Sequence, residues 1–227
     1  MGVAVDSTLQ GIDLKGTKVR APKIGLQLPP EFFDHDPQVV AREILGKLLV
    51  RRQAEELLSG HIVEVEAYLG EDDPAAHAAA GRTLRNSVLF GPPGRAYVYF
   101  IYGHHYCLNV SCLSDGVPGC VLVRALEPMI GIDEMARSRG ITLQSPADLK
   151  KLTSGPGRLA EAFGITRARD NGKDLTSRAS DLRIVEGDYR PARVITTERI
   201  GITKAAERPL RFLVAENGFV SRATRSN

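Results

Sequence analysis

The sequence predicts a single α+β domain built on a mainly antiparallel sheet with short helices beside it. Three observations carry that prediction. Residues 61–69 alternate apolar and polar with a strand period. An aromatic-rich run, 97–102, and a returning run, 106–112, meet at Gly103 as a hairpin. Helical spacing of apolar residues is confined to short stretches. A chain of 227 residues is long enough to bury a sizeable core and needs no second domain.

Taken in order, residues 1–30 lack a clear period and carry Lys15, Lys18, Arg20 and Lys23, so they read as a basic, flexible arm ahead of one domain over 31–227. Asp36-Pro37 reads as N-cap and first helical residue. Val40, Ile44, Leu45, Leu48 and Leu49 follow at helical spacing and predict a helix over 37–49. In 61–69, Val63, Val65, Ala67 and Leu69 share one strand face, and Glu64, Glu66 and Tyr68 share the other. Pro92-Pro93-Gly94 turns into the strand 97–102, and Asp115-Gly116 turns towards the strand 120–126. Ser145-Pro146-Ala-Asp148 starts a second helix, and Leu159 to Phe163 forms a third. Arg193 to Thr196 and Leu210 to Ala215 read as strands.

Composition narrows the function classes. Hydrophobic residues make up 43% and charged residues 25%, which is ordinary for a globular protein. No apolar run approaches the ~20 residues of a membrane-spanning helix, and the first residues lack the basic and apolar regions of a secretory signal. Cys107, Cys112 and Cys120 form no Cys-x-x-Cys pair, which argues against a zinc ribbon or a redox dithiol and predicts three buried thiols in a reducing cytoplasm. The net charge of +3 hides an asymmetry. Residues 1–136 carry 12 basic and 17 acidic side chains (net −5), and residues 137–227 carry 18 and 10 (net +8). Such a split fits a polyanionic partner or a solvated basic face.

Several residues stand out as carriers of chemistry. Glu66 is a carboxylate in mid-strand, suited to general-base work if buried; the alternative is a solvent-facing glutamate, the reading given to Glu64. Arg124 interrupts the apolar run 120–126 and needs an anion there, whether Glu66, Glu127 or a ligand phosphate. Tyr97, Tyr99, Phe100, Tyr102 and Tyr106 crowd ten positions. They either fill a sheet core or, with Tyr102 at the hairpin tip beside His104-His105, offer a wedge for nucleic acid. His77, His104 and His105 lack metal-ligand spacing. Gly155-Pro-Gly157-Arg158 reads either as an anion-binding helix start or as a plain turn.

Long ordered blocks carry a resemblance. Glu64-Val-Glu-Ala-Tyr-Leu-Gly70, Asp73-Pro-Ala-Ala-His77, Gly81-Arg82-Thr-Leu-Arg85-Asn86, Tyr97-Val-Tyr-Phe-Ile-Tyr-Gly103, Val121-Leu-Val-Arg-Ala-Leu-Glu-Pro128, Ser154-Gly-Pro-Gly-Arg-Leu and Arg199-Ile-Gly-Ile202 resemble the alkyladenine (3-methyladenine) DNA glycosylases from about residue 30 to 220. The resemblance implies a curved antiparallel sheet whose hairpin enters the DNA minor groove. It implies a monomeric, metal-free and cofactor-free enzyme of the cytoplasm, at the nucleoid if bacterial. Its substrate would be duplex DNA bearing a damaged purine: 3-methyladenine, 7-methylguanine, hypoxanthine or ethenoadenine.

By the same resemblance, Glu66 activates the water that attacks C1′, Arg124 helps position that water and a phosphate, and the Ile200 backbone carbonyl also faces the water. Tyr68, His77 and Tyr99 hold the extruded base, Asn109 rejects purines with an exocyclic amino group, and Tyr102 fills the gap in the duplex. His104, His105, Arg82, Arg85, Gly157, Arg158 and Gly201 face DNA. His104 departs from the apolar residue usual there and would add a pH-dependent phosphate contact. The competing classes are a non-catalytic binder of distorted duplex and a metal-dependent hydrolase.

Overall fold

The computed structural model describes residues 22–101, 103 and 105–221, with the backbone of two short paired strands, β1 (Gly11–Ile12) and β2 (Lys18–Val19). Most of the expected arm lies outside the described residues, as do Tyr102 and His104. After α1 (Pro30–Phe33) and α2 (Pro37–Glu43) come β3 (Leu48–Gln53) and the long β4 (Glu56–Tyr68). The hairpin β5 (Ala96–Ile101) and β6 (His105–Ser111) leads to β7 (Cys120–Ile130). Helices α3 (Ile132–Arg139), α4 (Pro146–Thr153), α5 (Pro156–Ala162) and α6 (Arg167–Asp170) follow. The last strands are β8 (Leu182–Val185), β9 (Val194–Thr197) and β10 (Arg211–Val214).

β4 organises the sheet. One edge pairs with β7; the other is divided between β3, from Glu56 to His61, and β10, from Glu64 to Glu66. Strand order runs β5-β6-β7-β4-β10-β9, with β8 attached through β3. Two partners on one edge must splay apart, and register shifts between β4 and β7 add local twist, so the antiparallel sheet curls into a half-barrel. The fold is therefore the expected α+β class.

The predicted apolar face of β4 is the core face. Val63, Val65 and Ala67 are fully buried in one cluster with Phe33, Phe163 and Phe212, and Leu69 packs at its edge. A fully buried valine or phenylalanine side chain contributes ~1.5–3 kcal/mol. Helices α4 and α5 lie against β7. Cys107, Cys112 and Cys120 are free and buried, as expected. Among the described residues, no helix is long and apolar enough to cross a membrane.

Two helix boundaries differ from expectation. Asp36 caps α2 by accepting from Gln38 N at 2.7 Å, but the helix ends at Glu43 instead of reaching residue 49. Gly46 turns the chain at φ +82°, where a Cβ would meet Tyr189 O and Pro191 Cδ at 2.8 Å, and its N–H bonds Ile62 O at 2.8 Å. That turn feeds Leu48 and Leu49 into β3, where they are just as buried. The third helix begins at Pro156 rather than Leu159, because proline suits the first helical turn. The second starts as expected: Asp148 accepts from Ser145 N and Oγ, both at 2.9 Å. Helices α1, α3 and α6 and strands β1, β2, β3 and β8 have no counterpart in the sequence reading.

Candidate active site

The polar face of β4 is not a solvent face. Glu64 and Glu66 are both 0% exposed, which corrects the solvent-facing reading of Glu64. Glu66 Oε1 accepts from Ile200 N at 2.8 Å and pairs with Arg124 Nη1 at 3.1 Å, and Oε2 accepts from the Tyr68 hydroxyl at 2.9 Å. Arg124 also donates from Nε to Glu64 Oε1 at 2.9 Å, so its anions are Glu64 and Glu66 and not Glu127. The Glu127 carboxylate instead accepts from Asn217 Nδ2 at 2.8 Å.

A bulge sets this arrangement. Glu64 pairs with Ala125 and Val65 with Val123, which leaves Arg124 without a register partner on β4 at this point. Bulges re-aim side chains, and this one brings a guanidinium between two carboxylates. Burial alone would lower the basicity of Arg124, but the Glu66 and Glu64 charges outweigh it and raise its pKa.

Above Glu66 lies a cavity of about 450 Å³ whose walls include Tyr68, His77, Tyr99, Asn109, Arg124 and Ile200. Glu66 does not border the open space itself; Tyr68, Arg124 and Ile200, all of which do, stand between. His77 and Tyr99 meet edge to face with centroids 4.5 Å apart, and Tyr97, also in the wall, lies 5.5 Å from Tyr99. His77 Nδ1 is 2.8 Å from the Tyr97 hydroxyl, which burial pushes up to about 12. Asn109 is buried and donates from Nδ2 to Tyr97 O at 3.2 Å.

The remaining expected residues divide into groups. Gly157, Arg158, Gly201 and His105 border the cavity, and Gly157 sits so close to His105 that a Cβ would lie 2.8 Å from its ring. Arg82 and Arg85 are exposed outside it, Arg82 over the Phe90 ring at 5.9 Å. Asn86 staples their loop by donating to His77 O and Gly81 O, both at 2.9 Å. Tyr102 and His104 lie outside the described residues. Among the described residues, no three His, Cys, Asp or Glu side chains gather as metal ligands would.

Sequence reasoning missed a second buried pair. Arg199 holds Asp73 through Nη1 to Oδ2 at 2.5 Å and Nη2 to Oδ1 at 2.9 Å, and its guanidinium lies 4.7 Å from the Tyr68 ring centroid. This pair locks the segment that delivers Ile200 N to Glu66. Both residues lie inside the motif blocks, but 126 positions separate them, and nothing local marks them as partners. Arg211 and Ser221, which hold Glu64, were missed for the same reason.

The chain that folds into this half-barrel, with an aromatic cavity over a buried carboxylate, is similar along most of its length to known DNA glycosylases. The family model described as methylpurine-DNA glycosylase (MPG) matches residues 31–218. A protein of Koribacter versatilis is 59% identical over 194 residues, covering 86% of this chain and 92% of that protein. Relatives from Methanoculleus marisnigri (46%, covering 87% and 100%) and Rhodopseudomonas palustris (44%, covering 92% and 98%) are also similar along most of both chains. All three carry the provisional name 3-methyladenine DNA glycosylase. The chain belongs to the methylpurine-DNA glycosylase family and is a hydrolase acting on DNA.

Proposed function

We propose that the enzyme draws an alkylated or deaminated purine out of duplex DNA into the aromatic cavity and hydrolyses its N-glycosidic bond with a water activated by Glu66. The observation that carries this reading is a fully buried carboxylate held by Ile200 N, Arg124 and Tyr68 beneath an aromatic-walled cavity of about 450 Å³, roomy enough to take a purine. A base inside a duplex cannot be reached without extrusion, whose cost of a few kcal/mol is smallest at damaged sites.

The chemistry follows from the donors. A carboxylate offers about four acceptor sites. Ile200 N fills one on Glu66 Oε1, beside which Arg124 Nη1 lies as an ion pair, and the Tyr68 hydroxyl fills one on Oε2. A lone pair of Oε2 is left for a water admitted past Tyr68, Arg124 and Ile200. The water oxygen bonds C1′, its proton passes to Glu66, and the purine departs with the electrons of the broken C1′–N bond, leaving an abasic site. A cationic alkylpurine is already a good leaving group, so one carboxylate suffices; a neutral purine such as hypoxanthine also needs a proton. Tyr68, His77 and Tyr99 supply electron-rich faces for the base, with Asn109 beside them as the gate against an exocyclic amino group. Tyr102 fills the vacated stack. Arg82, Arg85 and the basic C-terminal portion of the chain supply salt-sensitive, sequence-independent attraction to phosphates.

The test is single-turnover release of 3-methyladenine and hypoxanthine from duplex DNA by wild type and Glu66→Gln. Loss of release with retained binding is expected, and equal release by both proteins refutes the assignment. A non-catalytic binder would release no base at all, and a metal-dependent hydrolase would lose activity to a chelator, which this reaction does not.

A further inference from the structure

Glu64 is the second fully buried carboxylate of β4, two residues from Glu66 on the same face, yet it does not border the cavity. A buried ion is expensive unless donors compensate it, and Glu64 has four. Arg124 Nε, Arg211 Nε and the Ser221 hydroxyl reach Oε1 at 2.9, 2.7 and 2.8 Å, and Ser221 N reaches Oε2 at 2.6 Å. Arg211 comes from β10 and Ser221 from beyond it, so Glu64 is fixed from the side away from Arg124.

Arg124 spans the two glutamates, with Nε on Glu64 and Nη1 on Glu66. A guanidinium is planar and its donors diverge at fixed angles, so anchoring Nε dictates where Nη1 points. We propose that Glu64 is a positioning residue: held by Arg211 and Ser221, it orients Arg124 so that Nη1 stands opposite Glu66 Oε1. Without it, Arg124 is free to turn both terminal nitrogens onto Glu66 and occupy the lone pair the water needs. The inference rests on the roles proposed above for Glu66 and Arg124.

The experiment is a double-mutant cycle in single-turnover base release and in affinity for lesion-bearing duplex, using Glu64→Gln, Arg124→Gln and the pair. Misplacement by ~1 Å costs on the order of 100-fold, so Glu64→Gln should slow release by about 10- to 100-fold and leave affinity within about twofold. Because Glu64 acts through Arg124, adding Glu64→Gln to Arg124→Gln should change nothing further. A wild-type rate for Glu64→Gln overturns the proposal, and so does an independent, multiplicative loss in the double variant, which a merely structural role would give. If Glu64→Gln fails to fold, Ser221→Ala replaces it in the cycle. It removes one donor and keeps the charge, and it should slow release several-fold only when Arg124 is present; a wild-type rate again overturns the proposal. Glu66→Gln run alongside separates the two claims. Full activity there removes the underlying reading, whereas an inactive Glu66→Gln beside a fully active Glu64→Gln removes only the positioning role.

Discussion

Tyr68 donates its hydroxyl to Glu66 Oε2 at 2.9 Å from two positions along the same strand face. Burial, reinforced by the Glu66 charge, pushes the phenol far above its ordinary pKa, so it remains a donor through the whole neutral range. The same ring borders the cavity and lies over the Arg199 guanidinium. One side chain thus joins the wall that a base would contact to the carboxylate behind it.

Tyr68→Phe keeps the ring and deletes the donor. A hydrogen bond to a charged group is worth about 1.5–3 kcal/mol, and stability in urea unfolding should fall by that order. Base release at saturating enzyme should slow by about 10-fold while affinity for a lesion duplex holds, since the ring is unchanged. A matching loss of affinity would assign the hydroxyl to base recognition instead.

Asp73→Asn should leave Arg199 charged and uncompensated in the core, at a cost of about 3–5 kcal/mol. Burial pushes the Asp73 carboxyl up, but the Arg199 hydrogen bonds and charge and the Ala75 and Leu69 amides more than offset it, so its folded pKa lies below the ordinary value. A depressed carboxylate contributes stability above its unfolded pKa of ~3.9, and loses it as pH falls through the lower folded value. Wild type should therefore lose stability on acidification below about pH 4 more steeply than Asp73→Asn. Parallel melting-temperature profiles from pH 6 to pH 3 would contradict this.

His77 should titrate below the ~6.5 of an unperturbed histidine, because contact with its neighbours desolvates it and the Arg85 charge opposes a second cation. Its unfolded form then binds the proton more tightly, so protonation of this ring works against the fold as pH falls below about 6.5. A neutral imidazole also leaves a cationic alkylpurine unrepelled. An NMR titration of the ring carbons checks this, and Arg85→Ala should move the midpoint upward. A wild-type midpoint above about 6.5 would be the contrary result.

Much of the fold is legible because strand periodicity is strict. Val63, Val65 and Ala67 face the core as the alternation says, and the β5–β6 hairpin lies where the aromatic run 97–102 and Gly103 place it. The helix expected over 37–49 starts as expected but stops at Glu43, because apolar residues spaced three and four apart can be buried by a strand as well as by a helix. At Gly46 a close approach to Tyr189 and Pro191 decided the matter. Glu64 failed differently. Alternation tells which face a side chain takes but not whether another segment covers that face, and the cover comes from Ser221, 157 residues away.

The sequence alone determined the residue types of the site: Glu66 and Tyr68 on one strand face, aromatics two apart on β5, and an arginine inside an apolar strand that had to find an anion. It also carried the motif blocks through which the family is recognised. Only the tertiary structure decided which anion Arg124 meets, that Glu64 is buried, and that Asp73 and Arg199 lock the segment bearing Ile200. The reason is physical. Period and propensity act over a few residues, whereas a buried charge is settled by whichever distant donors the curl of the sheet and the β4–β7 bulge bring within hydrogen-bonding reach.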